Sequence, residues 1–230
     1  MQHTIVSREE WLAARKALFE KERAMTHQLD ALRAERRQLP WVRIEKSYVF
    51  DGPGGDVALC DLFGECSQLA VYHFMLTPGS DHICPGCAFT MDHVDAARQH
   101  FEHADLAFAA VSRAPIRRIE DVRRRMGWTF PWVSADDRDF SYDFDVSFRP
   151  QDRAAGLALY NYGLTPIRNA PDMFGVSVFA KDERGDIFHT YSTYHRGTEL
   201  LMGALNWLDL APKGRNETGT MSWVKLHDTY

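Results

Sequence analysis

Two cysteines separated by two residues, Cys84-Pro85-Gly86-Cys87, restrict this chain more than any other feature because of what flanks them. Upstream, residues 69–76 (LAVYHFML) are apolar, too short for a membrane span and rich enough for a buried strand. Downstream, Phe89, Val94, Ala97 and Phe101 recur at helical spacing among Asp, His, Arg and Gln. Strand, short loop, Cys-x-x-Cys and helix put two thiols at a helix N-terminus. There the unpaired backbone N–H groups and the helix dipole favour a thiolate over a thiol.

The rest of the chain is expected to build one domain around that unit. Ser7 followed by Glu10 reads as a capping box, with Val6 and Trp11 placed for a hydrophobic staple, and the helix it opens runs to about Gln38, before Pro40. Trp11, Leu18, Met25 and Leu32 fall every seven residues on this charged rod, with Ala14 and Leu29 beside them. Such a helix can lie across its own domain or meet a second copy as a homodimer. The lack of a clean second apolar heptad position favours the former. Val42, Ile44, Tyr48 and Phe50 then alternate with polar residues, 51–56 make a Gly-rich turn, and Val57 to Leu59 return as a hairpin.

The core strand at 69–76, a helix at 85–103, a strand at 106–111 and a helix at 118–126 stopped by Gly127 form a strand–helix–strand unit with a parallel pair. Residues 128–172 show no clear period. Strands at 176–179 and 187–194 flank a turn, 181–186, and a last helix is expected at 197–209, followed by an aromatic tail with Trp223. The expected division is an N-terminal helical extension, 1–40, and a domain, 41–230.

Composition narrows the partners. The net charge of −5 is small and spread out, and the Arg-rich spots (Arg33, Arg36, Arg37; Arg123 to Arg125) sit in helical stretches interleaved with acids or apolar residues. No nucleic-acid partner is expected. No apolar run approaches the roughly 20 residues of a membrane span, and no apolar leader follows Met1, so no membrane partner is expected and the location is expected to be cytoplasmic. The cysteines are Cys60, Cys66, Cys84 and Cys87. In a reducing compartment a close pair points to catalysis or metal binding more than to a static cross-link.

The Cys-x-x-Cys at the first helix of a βαβ half, followed by a hairpin and a terminal helix, resembles the thioredoxin fold. Asp61-Leu62-Phe63 and the hairpin before the core strand are similar to peroxiredoxin-type members. More closely, DLFGECSQLAVYHFM, GVSVFAKDERGDIFHTYSTYHRG, LNWLDLAPKGR and WVKLHDTY resemble a bacterial family of thioredoxin-like proteins described as predicted dithiol–disulfide oxidoreductases. The resemblance covers nearly the whole chain. It implies an α/β fold: a thioredoxin-like mixed sheet flanked by helices, with a leading β-hairpin and a long N-terminal helix. It also implies a redox-active cysteine pair with no cofactor and no metal, working on an unidentified thiol or disulfide substrate or reductant.

Three departures from thioredoxins stand out. Ile83 precedes the first cysteine where thioredoxins carry Trp, and Pro85 follows that cysteine instead of preceding the second. Phe174-Gly175 holds the place of the cis-proline that faces the thioredoxin pair, with Pro171 upstream.

Cys84 at the N-cap, with Pro85 at the first helical position, is the expected nucleophile, and Cys87 the resolving thiol. A protonated His82 would lower the Cys84 pKa, while Asp81 would oppose it. His73 interrupts the apolar strand, where thioredoxins keep a buried proton-transfer group, although a hydrogen-bonded core histidine is the more ordinary role. Cys60 and Cys66 read as buried, inert thiols, and His93 as a solvated helix residue. Three other readings stay open. Thiol peroxidase is one, although Thr77 and Asp81 occupy the positions where peroxiredoxins carry Pro and then Thr or Ser before the reactive cysteine. A metal-binding module built on His82, Cys84 and Cys87 is the second, weakened by the lack of a second close ligand pair. The third is a scaffold with an idle pair.

Overall fold

The computed structural model describes residues 3–230, and its contacts divide the chain into two units, Met1–Pro40 and Trp41–Tyr230. In the first, helix α1 spans Arg8–Arg36. Ser7 caps it: the hydroxyl accepts from the Glu10 N–H at 3.2 Å, and the Glu10 carboxylate accepts from the Ser7 N–H at 2.9 Å. Both reciprocal bonds satisfy donors that a bare helix start would leave unpaired.

The second unit holds an eight-stranded mixed sheet. In chain order its elements begin with β1 (Val42–Arg43), β2 (Val49–Gly52), β3 (Gly55–Ala58) and β4 (Gln68–His73). Helix α2 (Pro85–His103), β5 (Leu106–Ser112), α3 (Ile116–Met126) and β6 (Trp132–Ser134) follow. Next come α4 (Phe140–Asp143), α5 (Pro150–Ala155) and a separate two-stranded ribbon of β7 (Leu159–Tyr160) and β8 (Thr165–Pro166). The chain returns to the main sheet with β9 (Gly175–Lys181) and β10 (Ile187–Tyr194), then makes a 3-10 turn, His195–Leu201, and helix α6 (Gly203–Asp209).

The strand order is β1-β10-β9-β4-β5-β6-β2-β3. The three central strands β4, β5 and β6 are parallel, joined by crossovers through α2 and α3, while β9, β10, β1, β2 and β3 join antiparallel. Because both faces of β4 are covered, its side chains divide strictly by parity. Ala70, Tyr72 and Phe74 join a cluster with Ala88 and Met91 of α2 and Ile119 and Val122 of α3. Leu69 and Val71 join a second cluster with Phe50, Phe63, Phe140 and Phe144 on the other face.

Two expectations need correction. Val42 and Ile44 do not belong to the leading hairpin: Val42 pairs with His189 of β10, and the Ile44 N–H donates to the Ile187 carbonyl at 2.8 Å. The hairpin proper is β2–β3, turned at Pro53-Gly54. The terminal helix is broken at Met202, whose backbone (φ −104°, ψ 86°) is not helical. That break turns Met202 and Leu205 onto Phe89 of α2. The tail then docks on α2, with Trp223 edge-on to Phe89 at 5.8 Å, His227 bonded to Asp92 at 2.7 Å and Asp228 paired with Arg125 of α3.

Candidate active site at the start of helix α2

Pro85 has no N–H to lose at the first helical position, and Cys84 before it takes an extended backbone (φ −62°, ψ 113°). The Cys84 sulfur accepts the Cys87 N–H at 3.3 Å, so a cysteine fills the role usually taken by Ser or Asp at a cap. Cys84 is half-buried and Cys87 fully buried. The two sulfurs interact directly: the Cys87 thiol donates to Cys84, and this bond, opposed by burial and helped by the backbone N–H groups of Cys87 and Gly86, brings the Cys84 pKa down to about 7. Burial pushes Cys87 the other way, well above an ordinary thiol, and the neighbouring Cys84 charge adds to the rise. The site therefore holds one proton preferentially on the inner sulfur, leaving the outer one ionised near neutral pH.

The buried neighbour of Cys87 is Tyr72. It is 1% exposed on the α2-facing side of β4, and its hydroxyl is hydrogen-bonded to the side chains of Cys87 and Thr90. His73, one residue on, points to the opposite face. Its Nε2 is 2.9 Å from the Ser177 hydroxyl, its ring stacks on Phe140 at 5.6 Å, and burial holds its pKa down at about 3. The sheet separates it from the thiols, so the proton-transfer role considered for His73 falls away and the hydrogen-bonded core histidine remains. Ser177 bonds onward to Ser192, and Ser192 to His189 at 2.8 Å, closing a buried polar chain on that face.

His82 is exposed, its backbone N–H donating to the Ser80 hydroxyl at 3.2 Å. The groups that lower Cys84 are Cys87 and Gly86. His93 does not stand in solvent. Its Nδ1 lies 2.6 Å from the Phe89 carbonyl, and its Nε2 accepts the Ala204 N–H at 3.0 Å, so the proton sits on Nδ1 and the ring ties α6 to α2. Asp172, just ahead of β9, is 5% exposed and takes Thr77, Arg113 (2.7 Å) and Ser147 (2.7 Å). It thereby ties the loop after β4 to the segment entering β9. Among the described residues no peptide bond is cis. Phe174 packs on the same core cluster as Cys84, and Tyr160 holds its carbonyl. Gly175 is required behind it, because a Cβ there would meet the Tyr194 ring at 2.5 Å.

Two cavities frame the alternatives. The larger, about 740 Å³, lies at the far end of α2 around Phe63, Cys66 and Glu102, away from the pair. Cys66 donates to the Glu102 carbonyl at 3.7 Å, and burial raises its pKa; Cys60, expected to be buried, is instead exposed, 3.7 Å from Asp61. The smaller, about 210 Å³, includes Phe174 and Met221 in its wall. Among the described residues no group of three or more His, Cys, Asp or Glu is arranged to hold a metal ion, and no helix is long and apolar enough to cross a membrane.

Tyr72 and Asp172 are the site residues that sequence reasoning passed over, and His93 is the one it read as solvated. The signal for Tyr72 was an ionisable group on an apolar strand followed by Cys-x-x-Cys; the face it takes came only with the fold.

Comparison with known proteins bears on the family and the fold. All 230 residues match the profile of a family described as "Bacterial protein of unknown function (DUF899)". No curated protein matches the chain. Among solved structures, the bacterioferritin comigratory protein of Xanthomonas campestris, described for its alkyl peroxide reduction activity, is 16% identical with a TM-score of 0.50. The alignment covers 75% of this chain and 98% of that one. A PrxQ C47S mutant from Xylella fastidiosa is also similar, at 16% identity and a TM-score of 0.46, covering 73% of this chain and 94% of that one. Likeness at this identity concerns the fold, which is thioredoxin-like: a mixed sheet flanked by helices, here with a long N-terminal helix.

Proposed function

The chain belongs to the DUF899 family of bacterial proteins, and on that footing we propose that it is a thiol–disulfide oxidoreductase with Cys84 as nucleophile and Cys87 as resolving thiol. The observation that carries the reading is the placement of the two sulfurs within one helical turn: Cys84 half-buried at the cap of α2, accepting the Cys87 N–H at 3.3 Å, and Cys87 fully buried behind it. This arrangement lowers the first thiol and raises the second.

In the first step the Cys84 thiolate attacks one sulfur of a disulfide RSSR′. The substrate S–S bond breaks, R′S⁻ leaves and takes a proton, and a Cys84–S–S–R bond forms. Capping Cys84 removes its negative charge and its acceptor role. Those are two of the three influences that hold the Cys87 proton in place, burial being the third. Cys87 then ionises more readily, with the Tyr72 hydroxyl hydrogen-bonded to the forming thiolate. Cys87 attacks the Cys84 sulfur, RS⁻ leaves and is protonated, and the pair ends as a disulfide. Two electrons have passed from the pair to the substrate, and a dithiol reductant returns the pair to its starting state. Because Cys87 ionises only after Cys84 is occupied, the order of attack is built into the electrostatics.

Thiol peroxidase is the second reading, favoured by the fold likeness to a protein with alkyl peroxide reduction activity. Here Cys84 would attack the O–O bond, release an alcohol and become a sulfenic acid, which Cys87 would convert to the disulfide with loss of water. Against it, Thr77 is engaged by Asp172 and Asp81 stands three residues before Cys84.

The test is a glutathione redox titration of the reduced protein, quenched and mapped by mass spectrometry, beside stopped-flow oxidation with hydroxyethyl disulfide and with cumene hydroperoxide. The expected result is a reversible Cys84–Cys87 disulfide, faster oxidation by the disulfide, and a trapped mixed disulfide on Cys84 in Cys87→Ser. If the two cysteines never pair, the redox reading is lost; if only the hydroperoxide oxidises them, the peroxidase reading replaces it.

A further inference from the structure

We propose that the cavity beside Cys84 seats a bulky apolar side chain next to the cystine bond of a polypeptide substrate, so that the pair acts preferentially on disulfides flanked by apolar residues. The inference rests on reading Cys84 as the attacking thiolate and goes beyond it by naming the substrate class.

Proximity comes first. The Met221 methyl and the Cys84 sulfur lie 3.6 and 3.9 Å from the single point where a Cβ on Gly86 would stand. Met221 is also part of the cavity wall, so one side chain borders both the start of α2 and the cavity. On another side the wall is Phe174, which packs on the same core cluster as Cys84.

The lining supplies the chemistry. Phe174, Met202, Leu205 and Met221 form the apolar surface, with Met202 and Leu205 buried against Phe89 of α2. Both arginines of the lining and Glu199 are already paired with opposite charges. Arg196 holds Glu199 through two bonds at 3.0 and 2.9 Å. Arg215 pairs with Glu199 and, at 2.8 and 2.7 Å, with Asp209. Glu217 accepts the Met221 N–H at 2.8 Å. A ligand entering here meets apolar surface, two arginines already paired and one carboxylate held by a backbone N–H, which suits an uncharged hydrophobic group and offers little to a carboxylate.

Beyond the mouth, the same 3-10 turn and helix α6 leave large apolar side chains in the open. Leu200 is 64% exposed, Leu201 47%, Trp207 76% and Leu210 79%. Large exposed apolar side chains on the elements that line the cavity suit a chain with apolar residues on both sides of its cystine more than a small polar disulfide.

The experiment measures the rate at which Cys84 is captured in the Cys87→Ser variant, by mass spectrometry, with four oxidised probes. They are the cystine dimers of acetyl-Phe-Cys-Leu-amide and acetyl-Gly-Cys-Gly-amide, glutathione disulfide and hydroxyethyl disulfide. The apolar peptide is expected to react on the order of 10- to 100-fold faster than the glycine peptide, the range one hydrophobic pocket supplies. With each peptide rate divided by the hydroxyethyl disulfide rate of the same variant, adding Met221→Glu should erase most of that ratio, and adding Trp207→Ser should lower it by a smaller factor. Equal rates for the two peptides, with hydroxyethyl disulfide still reacting, would overturn the pocket assignment and leave the oxidoreductase reading standing. Failure of every disulfide, hydroxyethyl disulfide included, would take down both.

Discussion

Tyr72 and His73 are neighbours in the chain and strangers in the fold. Tyr72 faces α2 and is bonded to the inner thiol; His73 faces Phe140 and Phe144 and is bonded to Ser177. Both are buried, both are ionisable and both stay neutral at pH 7, each held in its uncharged form chiefly by burial. The difference is only which side of one strand each occupies. On a sheet covered on both faces, strand parity decides which buried proton belongs to the chemistry and which belongs to the architecture.

The widest separation between the two faces is in turnover. Cys84→Ala should lower disulfide reduction by about 1,000-fold or more, while His73→Leu should leave the rate per folded molecule within about twofold, since it touches only the far face. Stopped-flow reduction of hydroxyethyl disulfide by both variants reads this directly, and a large loss in His73→Leu would break the comparison.

Next is acid stability. His73 has a folded pKa of about 3, below the ordinary 6.5, so between those values the unfolded chain binds a proton that the folded protein refuses. Stability is therefore fully present above about pH 6.5 and is lost as pH falls, by up to about 1.4 kcal/mol per pH unit. Urea unfolding at pH 7 and pH 5 should show this loss. His73→Leu should flatten it, leaving the smaller share of His189, which burial lowers in the same direction.

A smaller effect is expected at Tyr72. Tyr72→Phe removes one hydrogen bond to Cys87, worth about 0.5–1.5 kcal/mol, or roughly a threefold to tenfold slower second step. The mixed disulfide on Cys84 should accumulate in the variant, and rapid-quench mass spectrometry would see it. An unchanged second step would move Tyr72 to the structural side of the comparison.

The finest measurement is the pH profile of Cys84 alkylation by iodoacetamide. The thiolate is the reactive form, so the rate should rise with pH and level off above a midpoint near 7. In Cys87→Ala, which removes the donor that lowers it most, the midpoint should move upward. A midpoint near that of an ordinary thiol in the unaltered protein would undo the tuning on which the site rests.

Much of this was open to reading from residue order, for identifiable reasons. The start of α2 is written in local terms: a cap at Cys84, proline at the next position and apolar residues at helical spacing. The limits of β5, α3, β9 and β10 follow from apolar runs bounded by turn residues and from Gly127 with a left-handed backbone (φ 67°). The face of His73 was not legible, because a strand buried on both sides shows no alternation to reveal which parity meets the helix. Between 128 and 172, four-residue α4 and the two-residue strands β7 and β8 are too short to carry a period, and tertiary contacts such as those of Tyr160 hold them in place. Asp172 was hidden for the same reason, since its partners at Thr77, Arg113 and Ser147 come together only in three dimensions.

The margins of the sheet carry a consequence of their own. It ends in β1, two residues long, on one side and β3, four residues long, on the other. Unpaired backbone along a strand is what templates addition of a foreign strand, and the hazard grows with the length of flat edge on offer. Here β1 covers β10 only at Phe188 and His189, and the Tyr162 hydroxyl donates to the Ser192 carbonyl further along. A foreign strand aligning with β10 therefore meets an edge interrupted by a short strand and a side chain, not a continuous ladder.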